Sequence, residues 1–249
     1  MSILRLASRL AALLAALLLA LPLHGLWRLA RRPSPWPRLL LAAVARIVGA
    51  RPRIVGTPRR RDVVFVANHL SWIDIPLVAG ATGSAFVAKA ELRAVPLVGW
   101  LCTLNRTIFV RRDDRLAVGA QIERLRAALA DARRQVAPVT IFPEGTTGDG
   151  VTLLPFKAAL LAALDPPPPG VVVQPVRIDY GAATRELAWV GEETGQHHAR
   201  RVLARPGTFT ATLRFLEPFD PALLPGRKAI AAEARARIEA AGDPAAAPV

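Results

Sequence analysis

The order of apolar and polar positions predicts an apolar helix at the N-terminus, followed by alternating strands and helices. Residues 10–27 include no Lys, Arg, Asp or Glu and consist mostly of Ala and Leu. This length of about 18 residues is near the lower limit for a helix that crosses the hydrocarbon core of a membrane. Arg5 and Arg9 precede the segment, and Arg28 follows it at once. The pattern therefore predicts a helix that anchors the chain in a membrane.

A signal peptide is the alternative interpretation of this N-terminus. Such a peptide has the same basic start and apolar run, and Ala20, Pro22 and Gly25 weakly resemble a cleavage region. The apolar run is long for a signal peptide, however, and arginine follows it instead of a neutral mature start. We therefore expect an anchor.

A second apolar segment covers residues 39–48, after the proline-rich residues 33–37. It is too short to span a membrane. With Trp27 and Trp36 as interfacial residues, this segment is suited to a helix that lies at the membrane surface. Packing against the rest of the protein is an equally good alternative.

Beyond residue 54 the pattern alternates between strand-like and helix-like segments. Residues 63–67 form a short β-branched run that predicts a buried strand. Residues 115–134 carry apolar side chains on one helical face. Further strands are predicted over residues 86–88, 107–110, 139–142, 171–178 and 208–215, and further helices over 153–164 and 228–240. This alternation predicts the α/β class, with a mixed, largely parallel sheet flanked by helices.

The charge of the chain points to an anionic membrane surface as a partner. There are 33 Lys and Arg residues against 19 Asp and Glu, so the net charge is +14. The arginines are scattered and aromatic residues make up only 6% of the chain, which argues against nucleic acid. Near anionic lipid each basic residue contributes about 1 kcal/mol. Cys102 is the only cysteine, so we expect no internal disulfide and no thiolate metal cluster.

The first candidate for chemistry is the run NHLSWIDIP, which places His69 and Asp74 just after the predicted buried strand. Five residues apart on one helix, the two side chains would lie about 140° apart. They can meet if His69 lies in the loop and Asp74 in the first helical turn, and Ser71 with Asp74 has capping-box spacing. Histidine suits proton transfer because its pKa is ordinarily near ~6.5. Alternatively, Asp74 only caps the helix.

The second candidate is FPEGTTGDG at residues 142–150, where glycines and hydroxyl residues follow a strand. Such a loop can present backbone N–H groups to an oxyanion or a phosphate. A tight glycine turn without a ligand is the alternative. The run matches neither the dinucleotide fingerprint nor the phosphate loop of nucleotide-binding proteins.

The third candidate is NRTIFVRR, in which Arg106, Arg111 or Arg112 can bind a phosphate with a bidentate guanidinium. Solvated surface is the alternative for each of them in a chain this rich in arginine. Pro175 lies inside a predicted strand, where proline is expected only at an edge or a bulge. His197 and His198 are adjacent in what we expect to be a polar loop, and no metal site is predicted.

In this order the segments resemble the glycerolipid acyltransferase family typified by 1-acylglycerol-3-phosphate acyltransferases. The resemblance covers residues 62–178. NHLSWIDIP matches the NHx₄D block, NRTIFVRR the arginine-containing block, FPEGTTGDG the FPEGT block and VVVQPV the proline-containing block. It implies the glycerolipid acyltransferase fold.

The resemblance also implies roles for particular residues. His69 would be the general base and Asp74 the residue that orients it. Glu144, Gly145 and Thr146 would belong to the acyl-acceptor site. Arg111 matches the arginine that contacts phosphate in this family, and Arg106 would assist it.

One residue departs from the family pattern. Many members have arginine after the FPEGT segment, whereas this chain has Thr147. The expected reaction moves a fatty acyl group from acyl-CoA or acyl carrier protein to the hydroxyl of a lysophospholipid, first of all 1-acyl-glycerol-3-phosphate, giving phosphatidic acid. Without that guanidinium, lysophosphatidic acid is less secure as the acceptor. Residues 188–193 and the TTGDG ending are similar to members that acylate bacterial phospholipid or lyso-ornithine lipid, and these acceptors are not separated by the sequence, so O-acylation of lyso-ornithine lipid is the alternative.

The expected organisation is an anchor and interfacial helix over residues 1–50, an acyltransferase domain over 51–241 and a disordered tail over 242–249. The protein would lie in the inner (cytoplasmic) membrane with its catalytic domain on the cytoplasmic face. No cofactor is expected, since the acyl-CoA or acyl carrier protein is a substrate. Two other classes remain open: a non-catalytic basic lipid-binding protein of the membrane, and a secreted hydrolase that releases free fatty acid.

Overall fold

The computed structural model describes residues 2–95, 98–110, 122–123, 126–127 and 138–242. Seven strands occur in this part of the chain: β1 Ala50–Val55, β2 Val63–Ala67, β3 Ala85–Lys89, β4 Ile108–Val110, β5 Val139–Ile141, β6 Val172–Asp179 and β7 Phe209–Phe215. The α-helices described are α1 Ser2–Leu29, α2 Trp36–Ile47, α3 Asp74–Thr82, α4 Val98–Leu104, α5 Thr184–Leu187, α6 Gly195–Ala204 and α7 Arg227–Ala240. Short 3₁₀ helices cover Ala90–Ala94, Ala158–Leu164, Gly181–Ala183 and Pro221–Leu223.

The strands form one sheet in the order β1-β7-β6-β2-β5-β3-β4. Strands β2 to β6 run parallel to their neighbours in this set. Strand β7 is antiparallel to β6 and pairs in parallel with β1. The prediction of a mixed, largely parallel sheet is therefore confirmed, and the carboxyl ends of β2, β5 and β6 lie at the same edge of the sheet.

Strand β2 shows why the sheet is covered on both faces. All five of its residues are buried, as expected of an apolar run in a sheet with a layer on each side. Phe65 and Ala67 belong to one hydrophobic cluster together with residues of α2 and α3. Val64 and Val66 belong to a second cluster with residues of α7. Alternate side chains thus enter opposite cores, which fixes the position of the loop that follows β2.

The predicted helix over residues 153–164 is shorter than expected. Only Ala158–Leu164 is helical, as a 3₁₀ helix, because Pro155 lacks an N–H donor and disfavours helical backbone at the residue before it. The preceding segment runs along the loop after β5, and Lys157 N–H donates to Pro143 O at 2.8 Å.

Pro175 lies in β6, a central strand, and the expected irregularity is present beside it. The pairing of β6 with β7 ends at Val176 with Phe215, and an isolated bridge joins Val173 to Phe219. One extra residue therefore lies on the Phe215–Phe219 side, as in a bulge. Pro175 O accepts from Leu216 N–H at 2.9 Å, so its missing N–H faces the side where β7 has ended.

Helix α1 is long and apolar enough to cross a membrane, and 6% of its most apolar window is buried in the protein. Helix α2 packs on α3: Leu40 and Ala45 are buried, and Arg38 Nε donates to Gly80 O at 3.1 Å. Helix α2 therefore packs against the rest of the protein, and its position at a membrane surface stays a prediction. The helix predicted over residues 115–134 lies outside the described residues apart from four positions, and so does the tail after Gly242.

Candidate active site

The loop between β2 and α3 brings His69 and Asp74 together at the carboxyl edge of the sheet. Helix α3 begins at Asp74, and Pro76 fits its first turn because proline is tolerated there. His69 Nδ1 lies 2.8 Å from Asp74 Oδ2. Since a carboxylate only accepts hydrogen bonds, the proton of this contact is on Nδ1. The predicted geometry, with His69 in the loop and Asp74 in the first turn, is present.

The Asp74 carboxylate is fully buried and accepts several hydrogen bonds. Oδ2 also accepts the backbone N–H groups of Leu70 at 2.7 Å and Ser71 at 3.0 Å. The bond from Ser71 is one half of the predicted capping box. In place of the other half, Ser71 Oγ accepts from Ile73 N–H at 3.3 Å. These bonds satisfy the charge of a buried carboxylate, which would otherwise be costly.

The imidazole of His69 stacks on an aromatic ring, and its side chain is partly exposed to solvent. It stacks on the Phe142 ring, with the centroids 4.1 Å apart and the planes at 13°. Its side chain is 17% exposed, whereas that of Asp74 is 0% exposed. No hydrogen bond joins Nε2 to a group in the described ranges. The side chain is therefore partly open to solvent, and these contacts leave Nε2 unengaged.

Glu144 lies behind His69 rather than at the surface. It is 3% exposed, and its Oε1 accepts the backbone N–H of His69 at 3.2 Å. Burial raises the pKa of Glu144 to about 7, opposed by this hydrogen bond and reinforced by the Asp74 charge. Its carboxyl therefore fixes the backbone of His69 and changes protonation near neutral pH.

The FPEGT loop is fastened to the His69 loop and to the segment after α5. Gly148 N–H donates to His69 O at 2.7 Å. Thr147 Oγ1 donates to Trp189 O, and Trp189 N–H donates to Leu70 O at 2.8 Å. Gly145 has a φ of 73°, a left-handed conformation that favours glycine. Thr146 is exposed at the same place.

His198 lies in α6 and supports the loop between β2 and α3, so the expectation of a polar loop at residues 197–198 was wrong. It is fully buried, and its Nδ1 accepts from Trp72 Nε1 at 3.1 Å. Nε2 must then carry the proton and donates to Leu187 O at 3.1 Å. Burial lowers the pKa of His198, which keeps the ring neutral. In the described part of the chain, no group of three or more His, Cys, Asp and Glu is placed to hold a metal ion.

Of the predicted arginines, Arg106 is described by the structure and does not lie at this site. Arg106 is exposed and lies before the amino end of β4, near Ser84, whose carbonyl accepts from Asn105. That is the opposite edge of the sheet from His69. Arg111 lies outside the described residues.

Besides His198, sequence reasoning assigned no role to Tyr180 or Asn68, which both support the site. Tyr180, directly after β6, donates from its hydroxyl to Asp74 Oδ1. Asn68 joins the ends of β2 and β6, since its Nδ2 donates to Ile178 O at 3.0 Å and its Oδ1 accepts Ile178 N–H at 2.7 Å. A polar residue directly after a buried strand was the available signal for both.

The family model and the relatives that match this chain define the class of this protein as an O-acyltransferase. The fold agrees with the crystal structure of the 1-acyl-sn-glycerophosphate acyltransferase from Thermotoga maritima, with a TM-score of 0.62 and 24% sequence identity over 94% of this chain and 95% of that one. The acyltransferase family model matches residues 52–179. The chain belongs to this acyltransferase family.

Curated relatives include several lipid O-acyltransferases. A lyso-ornithine lipid O-acyltransferase of Rhodobacter capsulatus is 34% identical over 94% of this chain and 88% of that protein. One with the same name from Pseudomonas aeruginosa is 37% identical over 70% of this chain and 67% of its own length. A 1-acyl-sn-glycerol-3-phosphate acyltransferase of Neisseria gonorrhoeae is 33% identical over 62% of this chain and 54% of its own length.

Proposed function

We propose that this protein transfers a fatty acyl group from a thioester to the hydroxyl of a lysolipid, with His69 as the general base. The observation that carries this proposal is the 2.8 Å contact of Nδ1 with Asp74, which leaves Nε2 for the acceptor. Nε2 removes the hydroxyl proton, and the oxygen attacks the carbonyl carbon of an acyl thioester. The C–S bond then breaks, and the proton passes from His69 to the departing sulfur. The products are an ester and a free thiol.

The proposed donor is acyl-CoA or acyl carrier protein. Both are acidic, and a net charge of +14 would raise their rate of encounter with the protein. No cofactor takes part in this scheme, because the thioester supplies both the acyl group and the leaving group.

The proposed acceptor is lyso-ornithine lipid, whose amino-acid headgroup carries no phosphate. Thr147 supports this choice: a guanidinium at this position would suit a phosphate, whereas the Thr147 hydroxyl is used to bind Trp189 O. The relatives from Rhodobacter capsulatus and Pseudomonas aeruginosa carry this acceptor in their names. The second candidate is 1-acyl-glycerol-3-phosphate, which the name of the Neisseria gonorrhoeae relative favours.

The proposed location is the inner membrane, with the catalytic domain on the cytoplasmic face, where both donors occur. Helix α1 would be the anchor, since its large apolar side chains at Leu10, Leu14 and Leu18 are 49%, 57% and 62% exposed. Fractionation with detection of the intact N-terminus tests this location. A soluble protein cleaved near Ala20 would contradict it.

An acceptor competition tests the proposed reaction. Membranes that contain the protein would receive a labelled acyl group, as acyl-CoA or as acylated carrier protein. Lyso-ornithine lipid and 1-acyl-glycerol-3-phosphate would be present in equal amounts. We expect ornithine lipid to form faster than phosphatidic acid. Thr147→Arg should shift this ratio towards phosphatidic acid, and Thr147→Ser, which keeps the hydroxyl, should not. Preferential formation of phosphatidic acid by the unaltered protein would contradict the proposed acceptor.

A further inference from the structure

Tyr180 is the only tyrosine of the chain and lies directly after the carboxyl end of β6. It is 1% exposed, and its ring packs edge-on against Phe209, with the centroids 5.4 Å apart. Its backbone N–H donates to Thr184 Oγ1 at 3.2 Å. The side chain is thus held from two sides and enters the core beside α3.

The hydroxyl of this buried ring reaches the carboxylate that faces His69. It donates to Asp74 Oδ1, while Oδ2 accepts Nδ1 of His69. Each oxygen of the Asp74 carboxylate therefore binds a different side chain: Oδ1 binds Tyr180 and Oδ2 binds His69. Asp74 is inaccessible to solvent, so removal of the phenol would leave Oδ1 without water to replace the lost donor.

We propose that Tyr180 is a positioning residue that fixes the Asp74 carboxylate and thereby sets the orientation and basicity of His69. This inference rests on the proposed role of His69 as the base. With Oδ1 bound to the phenol, rotation of the carboxylate would break a buried hydrogen bond, so Oδ2 stays directed at Nδ1. The phenol also draws charge from the carboxylate, which limits how strongly Asp74 stabilises the protonated imidazole.

Glu144 is a further titratable group beside the pair, and Asp179 precedes Tyr180, where its Oδ1 accepts from Thr184 Oγ1 at 3.2 Å. Glu144, after β5, lies close enough for the Asp74 charge to raise its pKa, and Arg235 of α7 lowers the pKa of Glu144. The pKa of Tyr180 itself is raised well above its ordinary value, first by burial and then by the Asp74 charge. The phenol therefore remains a donor at every pH at which the enzyme would work.

Tyr180→Phe tests the proposal because it keeps the ring and removes the donor. We expect kcat to fall about ten- to hundredfold, the effect of losing one hydrogen bond to a charged group, with little change in KM. The rising limb of the kcat/KM pH profile should move to higher pH, since Asp74 would hold the imidazolium more strongly. Phe209→Leu, which loosens the packing of the same ring but keeps its hydroxyl, should leave the profile in place.

A second test avoids loss of the side chain altogether. Because the chain has one tyrosine, growth on fluorinated tyrosine changes the acidity of this phenol and of no other. A more acidic phenol donates a stronger hydrogen bond to Asp74, so the rising limb should move to lower pH as fluorine atoms are added. A profile that stays fixed across this series and in Tyr180→Phe would overturn the positioning role.

His69→Ala in the same assay separates this inference from the proposed function. If His69→Ala keeps full activity, the proposed base is wrong and the role of Tyr180 falls with it. If His69→Ala is inactive while Tyr180→Phe has unchanged kcat and pH profile, only the role of Tyr180 is refuted. Loss of activity in His69→Ala with a shifted profile in Tyr180→Phe supports both.

Discussion

The Glu144 carboxyl accepts the backbone N–H of His69 at 3.2 Å, which joins the FPEGT loop to the loop that carries the proposed base. Glu144 is 3% exposed, so it makes this bond out of contact with bulk water. Its position explains how a residue of the FPEGT loop affects His69 without touching the imidazole. Because this bond links the two loops, a movement of one loop would break the bond unless the other loop moved with it.

Glu144→Gln should remove part of the pH dependence of folding stability. Burial raises the Glu144 pKa from 4.5 to about 7, so between these values the folded protein keeps a proton that the unfolded chain releases. The stabilisation is complete below 4.5, falls as pH rises and is lost above about 7. Glutamine can still accept from His69 but does not titrate.

Urea unfolding of the full chain in detergent, at several pH values, checks this prediction. The free energy of unfolding of Glu144→Gln relative to the unaltered protein should rise by on the order of 3 kcal/mol between pH 4.5 and 8. Glu192→Gln, at an exposed glutamate, is the matched control and should show no such trend. Identical trends for the two variants would refute the raised pKa.

Gly80→Ala should weaken the packing of α2 on α3. A Cβ at Gly80 would lie 2.8 Å from Ala42 Cα and 3.0 Å from Ala42 N, and these backbone atoms can give way only if α2 moves. Overpacking of this kind costs about 1–3 kcal/mol, partly offset by the better helix propensity of alanine. The measurement is the thermal unfolding midpoint in detergent, which should fall.

Gly25→Ala is the control for that substitution, since Gly25 also lies in a helix but a Cβ there meets nothing within 4 Å. Its unfolding midpoint should not fall. Equal midpoints for Gly25→Ala and Gly80→Ala would show that α2 does not pack closely on α3.

Arg9→Ala should loosen the contact between α1 and the end of α6. Arg9 Nη1 donates to the carbonyl oxygens of Val202, Leu203 and Arg205 at 3.0–3.1 Å. A guanidinium is suited to this site because it satisfies carbonyls at the C-terminus of a helix, which otherwise lack partners. Without it, backbone amides just after α6 should exchange hydrogen faster.

Hydrogen exchange followed by mass spectrometry measures this effect on the peptide that covers residues 204–210. Arg28→Ala, at an exposed position at the other end of α1, should leave that peptide unchanged. Unchanged exchange in Arg9→Ala would mean that α1 is not held to α6 by this residue.

The sequence predicted the local parts of the site better than its long-range contacts. The β-branched run of β2 and the capping-box spacing of Ser71 with Asp74 determine where His69 lies, because both act within a few residues. The contact of Tyr180 with Asp74 depends on the pairing of β2 with β6, and no local pattern encodes it. For the same reason the support of Trp72 by His198 was not foreseen.

Proline limited the accuracy of the element boundaries in two places. Pro155 shortened the helix predicted after the FPEGT loop, although the apolar pattern there continues. Pro175 was interpreted correctly as a sign of irregular pairing, yet its strand is central and not at an edge. In both cases the missing N–H determined which hydrogen bonds the backbone could make, and hydrophobic periodicity carries no information about this.

The most direct test of the central claim is the rate of diacyl lipid formation by His69→Ala at equal protein level. With lysolipid and labelled acyl thioester, we expect a loss of at least about a hundredfold, the usual contribution of a general base. His197→Ala, at a histidine whose side chain is 72% exposed, should keep normal activity. Acyl transfer at the same rate by both variants would contradict the assignment of His69 as the base.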